Sequence, residues 1–181
     1  LYHPVYYFLN PLETFAIWHG GLSFHGGLAG AVVVGMLYAK KKKIKFYDLA
    51  DVLAVPAAIA LAFGRIGNFI NGELWGTKTG VSWCVKFPDA EGCRHPSQLY
   101  ESAKNFIVFF ILIALNRKHR KPGFIFWHFV LLYGVGRFIV DFYRVGEHYF
   151  LGIQTGQWLC LAMIAVSVAF IIKEGYHKKI I

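Results

Sequence analysis

Five apolar stretches, at 21–39, 48–70, 99–115, 123–144 and 156–172, take up most of this 181-residue chain. Each is near the length of about 20 residues that a helix needs to cross a hydrocarbon layer about 30 Å thick. The charge inventory points the same way: 16% of the residues are charged and 56% are hydrophobic, against roughly 25% charged in soluble domains. Mean hydropathy is +0.46. A soluble fold of this size would lack the polar side chains to cover its exterior. Phe, Trp and Tyr make up 18% of the chain and crowd the ends of the apolar stretches, where membrane interfaces carry them. The expected fold is an all-α polytopic membrane protein, a bundle of about five transmembrane helices forming one membrane-embedded domain over 1–181.

The net charge of +9 would suit a nucleic-acid partner, but its distribution argues against one. Lys40, Lys41, Lys42, Lys43 and Lys45 follow one apolar stretch, Arg117, Lys118, Arg120 and Lys121 another, and Lys173, Lys178 and Lys179 the last. Short basic loops of this kind mark the cytoplasmic side and meet anionic headgroups. Residues 40–47, 116–122 and 173–181 are therefore expected inside, and 1–20, 71–98 and 145–155 outside. Residues 1–20 are too short and polar to cross, and their aromatics suit the outer headgroup layer. The sequence opens on Leu1 with neither methionine nor a cleavable signal peptide, so an N-terminal part is expected to be missing. Cys84 and Cys93 share the polar loop 71–98; they could pair in an oxidising compartment or stay reduced.

Ionisable residues inside spanning helices cost about 2.5–3.5 kcal/mol at the centre, so those present mark interior pairs or function. Arg65 lies 17 residues into the second stretch, about 26 Å along a helix at 1.5 Å per residue. Arg137 lies 14 residues into the fourth, about 21 Å along. Both fall in the outer half of the membrane, and His25 enters the first stretch at a similar level. Tyr133, Arg137, Asp141 and Arg144 follow at spacings of four, four and three, one helical stripe. An Arg137–Asp141 pair neutralising itself is the plain account of that stripe. With Arg65 at the same depth, it suits one wall of an anion site.

Residues 64–76, GRIGNFINGELWG, sharpen this. Arginine presents a planar fork of donors that fits phosphate and keeps its proton. Gly64, Gly67, Gly72 and Gly76 allow close backbone approach or unusual turns, Asn68 and Asn71 add neutral donors and acceptors, and Glu73 can orient an arginine. A helix end that becomes an irregular polar loop at membrane depth must line a cavity. The phosphate available there belongs to a phospholipid. SFHGGLAG (23–30) carries an HGG string, but no G-x-S-x-G accompanies it, which sets a serine hydrolase aside. His25 stays a candidate base, since imidazole titrates near neutrality. In RHPSQLYE (94–101), Ser97 is expected to cap a helix starting near Gln98, with His95 and Glu101 near the site. The remaining histidines show no metal-ligand spacing, and neither metal nor cofactor is expected.

Together these strings resemble the bacterial phosphatidylglycerol–prolipoprotein diacylglyceryl transferase family. GRIGNFINGELWG resembles that family's signature at every fixed position, and FHGGL, RHPSQLYE, YGVGRFIVDFYR and GQWLCLAM resemble its other blocks in order. The resemblance covers essentially the whole chain, as the C-terminal five of seven spans, so groups on the two preceding spans, a tyrosine-bearing helix among them, have no counterpart here. Asp141 stands where the family more often has glutamate. The resemblance implies transfer of the diacylglyceryl group of phosphatidylglycerol to the lipobox cysteine of a preprolipoprotein signal peptide, releasing glycerol-1-phosphate. It further implies the bacterial cytoplasmic (inner) membrane, an active site facing the outer leaflet and a cytoplasmic C-terminus. His25, Arg65 and Arg137 would be catalytic; Asn68, Asn71, Glu73, Gly76, Glu101, Tyr133, Asp141 and Arg144 would bind substrate. A phospholipid transporter or flippase would use intramembrane charges as a path but often shows paired repeats, and none occurs here. A non-catalytic lipid-binding scaffold is the third class.

Overall fold

The computed structural model describes residues 24–117, 121–146 and 149–176. Five α-helices follow one another: α1 (Phe24–Lys42), α2 (Phe46–Ile70), α3 (Ser97–Asn116), α4 (Phe124–Val140) and α5 (Thr155–Tyr176). Among the described residues, four segments are long and apolar enough to cross a membrane: Phe46–Ile70, Ser97–Asn116, Phe124–Tyr143 and Thr155–Lys173. They match four of the five expected crossings. The fifth, 21–39, begins outside the described residues; its described helix, α1, includes Lys40, Lys41 and Lys42 in its 19 residues and is not among the four.

The chain divides into two compact units, meeting between Leu49 and Ala50. In the first, α1 ends at a tight turn in which Lys43 takes a left-handed φ of 56° and the Ile44 amide donates to the Ala39 carbonyl at 3.0 Å. Gly35 faces the Phe46 ring there, at a distance where a Cβ would make ordinary contact, 3.5 Å.

The second unit is turned inside out relative to a soluble protein. Its largest fully buried side chains include Gln98, Glu101, Asn105 and Asp141, while Val52 is 71% exposed, Ile70 77% and Phe110 64%. Soluble domains bury the latter and expose the former; in lipid the apolar side chains lose nothing by facing outward. Ala50, Ala54, Ala58 and Ala62 recur every fourth residue as the buried stripe of α2. Small side chains let helix backbones approach, and the Ser102 hydroxyl of α3 donates to the Ala62 carbonyl at 2.9 Å. Ala54, Ala58, Val108, Leu112 and Ile125 form the apolar centre. Asp51 of α2 accepts from the Gly123 and Phe126 amides, each at 2.7 Å. A carboxylate thereby satisfies free N–H groups at the start of α4, where the helix dipole favours it.

Between α2 and α3 the chain forms a polar layer with a short antiparallel pair, β1 (Val85–Lys86) and β2 (Cys93–Arg94). Cys84 and Cys93 form a disulfide across it, with Cα atoms 5.5 Å apart. Cys160 is the free cysteine. Alkylation of denatured, unreduced protein is expected to modify one cysteine, rising to three after reduction. Three modified without reductant would contradict the cross-link. A second pair, β3 (Tyr149–Phe150) and β4 (Ile153–Gln154), joins α4 to α5.

Candidate active site

Four elements deliver charge to one end of the second unit. Arg65 lies five residues before the end of α2, Glu101 four residues after the start of α3, and Arg137 three residues before the end of α4. Asp141 opens the 3-10 turn Asp141–Tyr143 that follows α4, and Arg144 succeeds that turn in extended backbone. The three arginines converge on Glu101, which is 1% exposed. Its Oε1 accepts from Arg137 Nη1 and from Arg144 Nη1, the latter at 2.8 Å. Its Oε2 lies 3.2 Å from Arg65 Nε and 3.9 Å from Lys104 Nζ. Asp141 Oδ1 sits 3.1 Å from Arg137 Nε and 3.9 Å from Arg144 Nε.

A carboxylate this buried is tolerable only with opposite charge around it. The cluster overcompensates. Guanidinium groups keep their protons in proteins, so three of them against Glu101 and Asp141 leave one positive charge, with the Lys104 ammonium as a further cation. The arginine side chains are 17–20% exposed, so each still presents a face outward. A site with surplus charge, planar forks and low dielectric suits an oxyanion, above all a phosphate.

A second ring holds the arginines. Arg65 Nη1 donates to Asn68 Oδ1 at 3.4 Å, and Asn68 Nδ2 donates to Glu73 Oε1 at 2.7 Å. The Tyr133 phenol also approaches Arg65. Beneath them the polar layer is stitched to α3 and to the segment after α4. The Gly76 amide donates to the His95 carbonyl and the Thr77 amide to the Tyr143 carbonyl, both at 3.0 Å, and Gly76 bridges Arg144. A Cβ at residue 76 would overlap the Tyr143 carbonyl and lie 2.6 Å from the His95 oxygen. Only glycine allows the contact that aligns the Arg144 strand. Gln154 Nε2 donates to the Asp141 and Arg144 carbonyls at 3.0 and 3.2 Å.

Arg65, Arg137, Glu101, Asp141 and Arg144 thus meet directly, and Asn68, Glu73, Tyr133 and Gly76 surround them. Several sequence expectations need correction. Gly64 and Gly67 make no turn: α2 stays regular to Ile70, where the expected stretch ends, and the irregular loop starts at Asn71, with left-handed Gly72 and Leu74. Asn71 is an exposed residue at that helix end and makes no side-chain hydrogen bond among the described residues. Glu73 bonds Asn68 and no arginine, so it orients Arg65 one step removed. The stripe from Tyr133 to Arg144 is not one α-helix, because the α-helix stops at Val140 and Arg144 joins a bridge. Ser97 does not cap α3; it is the first helical residue, and its hydroxyl donates to the Leu74 carbonyl at 3.1 Å. His95 bonds Tyr100 at 3.1 Å and packs on Tyr143 without reaching the arginines. His25 falls in the first turn of α1, and its side chain lies outside the described residues.

Lys104, Gln98 and Asn105 were missed by the sequence reasoning. Gln98 Nε2 donates to the Glu73 carbonyl, locking the polar layer to α3. Asn105 is 1% exposed with neither amide atom paired among the described residues. For two of them the signal was present: Lys104 and Asn105 stand three and four residues after Glu101 inside the apolar stretch 99–115, the same anomaly that marks Arg65.

A family profile described as prolipoprotein diacylglyceryl transferase matches residues 1–173. Among curated proteins, the chain is 49% identical over 145 residues to a phosphatidylglycerol–prolipoprotein diacylglyceryl transferase of Geobacter sulfurreducens, covering 79% of this chain and 56% of the relative. It is 45% identical over 170 residues to the protein of that name from Bordetella parapertussis, covering 90% of this chain and 65% of the relative. A Nitrosomonas europaea protein of the same name is 45% identical over 177 residues, covering 94% and 64%. The chain therefore spans somewhat under two thirds of these relatives' length.

Proposed function

The chain belongs to the prolipoprotein diacylglyceryl transferase family, and from that premise we propose that it serves the transfer of the diacylglyceryl group of phosphatidylglycerol to the lipobox cysteine of a preprolipoprotein. The thiol sulfur attacks the glyceryl carbon next to the phosphate. The S–C bond forms, the C–O bond breaks, and the electron pair leaves on glycerol-1-phosphate, while the thiol proton passes to a base. A thiol of pKa about 8.5 needs that help near neutrality. His25 is the candidate base. The substrate supplies the nucleophile, so the chain requires none of its own.

One observation carries the proposal: the buried Glu101 gathers Arg65, Arg137 and Arg144 into a site with one surplus positive charge. That surplus matches a phosphodiester, which carries one negative charge. Arg137 and Arg65 are the phosphate-holding residues and stabilise the leaving group electrostatically. Asn68, Glu73, Tyr133 and Gly76 shape the pocket; Glu101, Asp141 and Arg144 hold the arginines in register. The site faces the outer leaflet of the bacterial cytoplasmic membrane and the C-terminus the cytoplasm, consistent with basic loops on the opposite face.

The test is mass analysis of a lipobox peptide incubated with phosphatidylglycerol and membranes containing the protein. A gain of one diacylglyceryl group on the cysteine is expected. Phospholipid movement between leaflets without modification would instead indicate a transporter.

A further inference from the structure

Lys104 has no role in the scheme above, yet its placement is unusual. Its side chain is 10% exposed, while the ammonium nitrogen is buried, has no hydrogen-bond partner among the described residues and lies 3.9 Å from Glu101 Oε2. The same nitrogen sits 3.9 Å over the Tyr133 ring. Its stem crosses α4 where residue 136 is glycine; a Cβ there would come within 2.5 Å of Lys104 Cγ and Cδ. Below it, an apolar groove of about 290 Å³ runs between α3 and α4, lined by Ile107, Ile111, Leu132, Val135 and Ile139 besides the lysine. Ile107 and Ile139 are more than half exposed, so the groove opens on the lipid-facing side. Lys104 therefore stands at the junction of a cationic cluster and an apolar groove.

A phospholipid has one such junction, the glyceryl carbon and the oxygen joining it to phosphate. Charge balance makes the position matter. The arginine cluster holds one surplus positive charge, enough for the phosphodiester. When the C–O bond breaks, the departing phosphate gains a second negative charge on the oxygen that bore the carbon. The arginines' inward donors are already engaged by Glu101, Asp141 and Asn68, whereas the donors of Lys104 are uncommitted.

We propose, resting on the transferase function above, that Lys104 is a further catalytic residue whose ammonium meets the charge developing on the scissile oxygen. Its donors strengthen their interaction as the bond breaks, which makes the contribution one of transition-state stabilisation. The proton of the attacking thiol is not involved.

The experiment compares wild type with Lys104→Met in the complete protein, reconstituted in phospholipid bilayers with a lipobox peptide. Two donors are used, phosphatidylglycerol and its analogue with sulfur in place of the scissile bridging oxygen. Sulfur bears the departing charge more readily, so it has less need of the lysine. With phosphatidylglycerol, kcat is expected to fall about 100-fold with KM little changed, as for loss of one preorganised donor. With the sulfur analogue, the deficit should shrink to about tenfold or less, by the same logic of developing charge. Unchanged kcat, or an equal deficit with both donors, would overturn the assignment, the latter indicating a packing role. Lys104→Gln serves as a second neutral variant should the methionine protein fail to fold. An inactive wild type would count against the transferase function itself and is thereby distinguished.

Discussion

Glu101→Gln should abolish measurable transfer and destabilise the protein at once. Glutamine keeps the volume of the side chain but removes the charge that three guanidinium groups share. Asp141 alone would then face Arg65, Arg137, Arg144 and Lys104 in surroundings where Glu101 is 1% exposed. Breaking a buried ion pair by removing one partner costs about 3–5 kcal/mol, largely because the other charge is left uncompensated. The arginines would separate, and displacement by about 1 Å can cost on the order of 10²-fold in rate. Transfer is expected to fall by at least about 10³-fold, combining misplacement with lost preorganised donors. Initial rates and thermal melting of the purified variant check both effects. A glutamine variant with wild-type rate and melting temperature would remove Glu101 from the centre of the site.

Arg137→Lys isolates geometry from charge. Arg137 reaches two carboxylates at once, Asp141 through Nε and Glu101 through Nη1, while keeping a fifth of its side chain open outward. A lysine ammonium retains the charge but is one compact point on a flexible stem. It can serve one carboxylate or the phosphate, not all three. Loss of about 100-fold or more in transfer is expected, the scale for removing a preorganised donor. In cells, the full-length protein carrying Arg137→Lys should fail to rescue a strain depleted of the wild-type protein. Full rescue would show that a positive charge suffices and that the planar fork is irrelevant.

Much of this site could be read from the sequence because lipid makes charge conspicuous. Arg65 and Arg137 stand out in runs where each charge is costly, and a rise of 1.5 Å per residue gives their depth. The spans needed only length and composition. What connects the residues was less accessible. Glu101 was expected among substrate-binding groups, but its place as the shared partner of three arginines depends on how α2, α3 and α4 pack, which spacing within one helix does not encode. The break after Val140 was hidden because DFYR continues the helical period of the residues before it. The backbone knot of Gly76, His95 and Tyr143 joins positions distant in sequence. So does the Asp51 contact with the start of α4. Lys104 differs from these: the rule that marked Arg65 applies to it equally, and its position one turn from Glu101 was available.

On the proposed function, the guanidinium groups around Glu101 hold a phospholipid phosphate. The most direct test is native mass spectrometry of the purified protein with phosphatidylglycerol, comparing wild type with the double variant Arg65→Gln, Arg137→Gln. Wild type is expected to retain one phosphatidylglycerol through detergent removal in the gas phase, and the double variant, folded though with a lower melting temperature, to release it. Equal retention of the lipid by a folded double variant would contradict the claim, since the phosphate would then be held elsewhere.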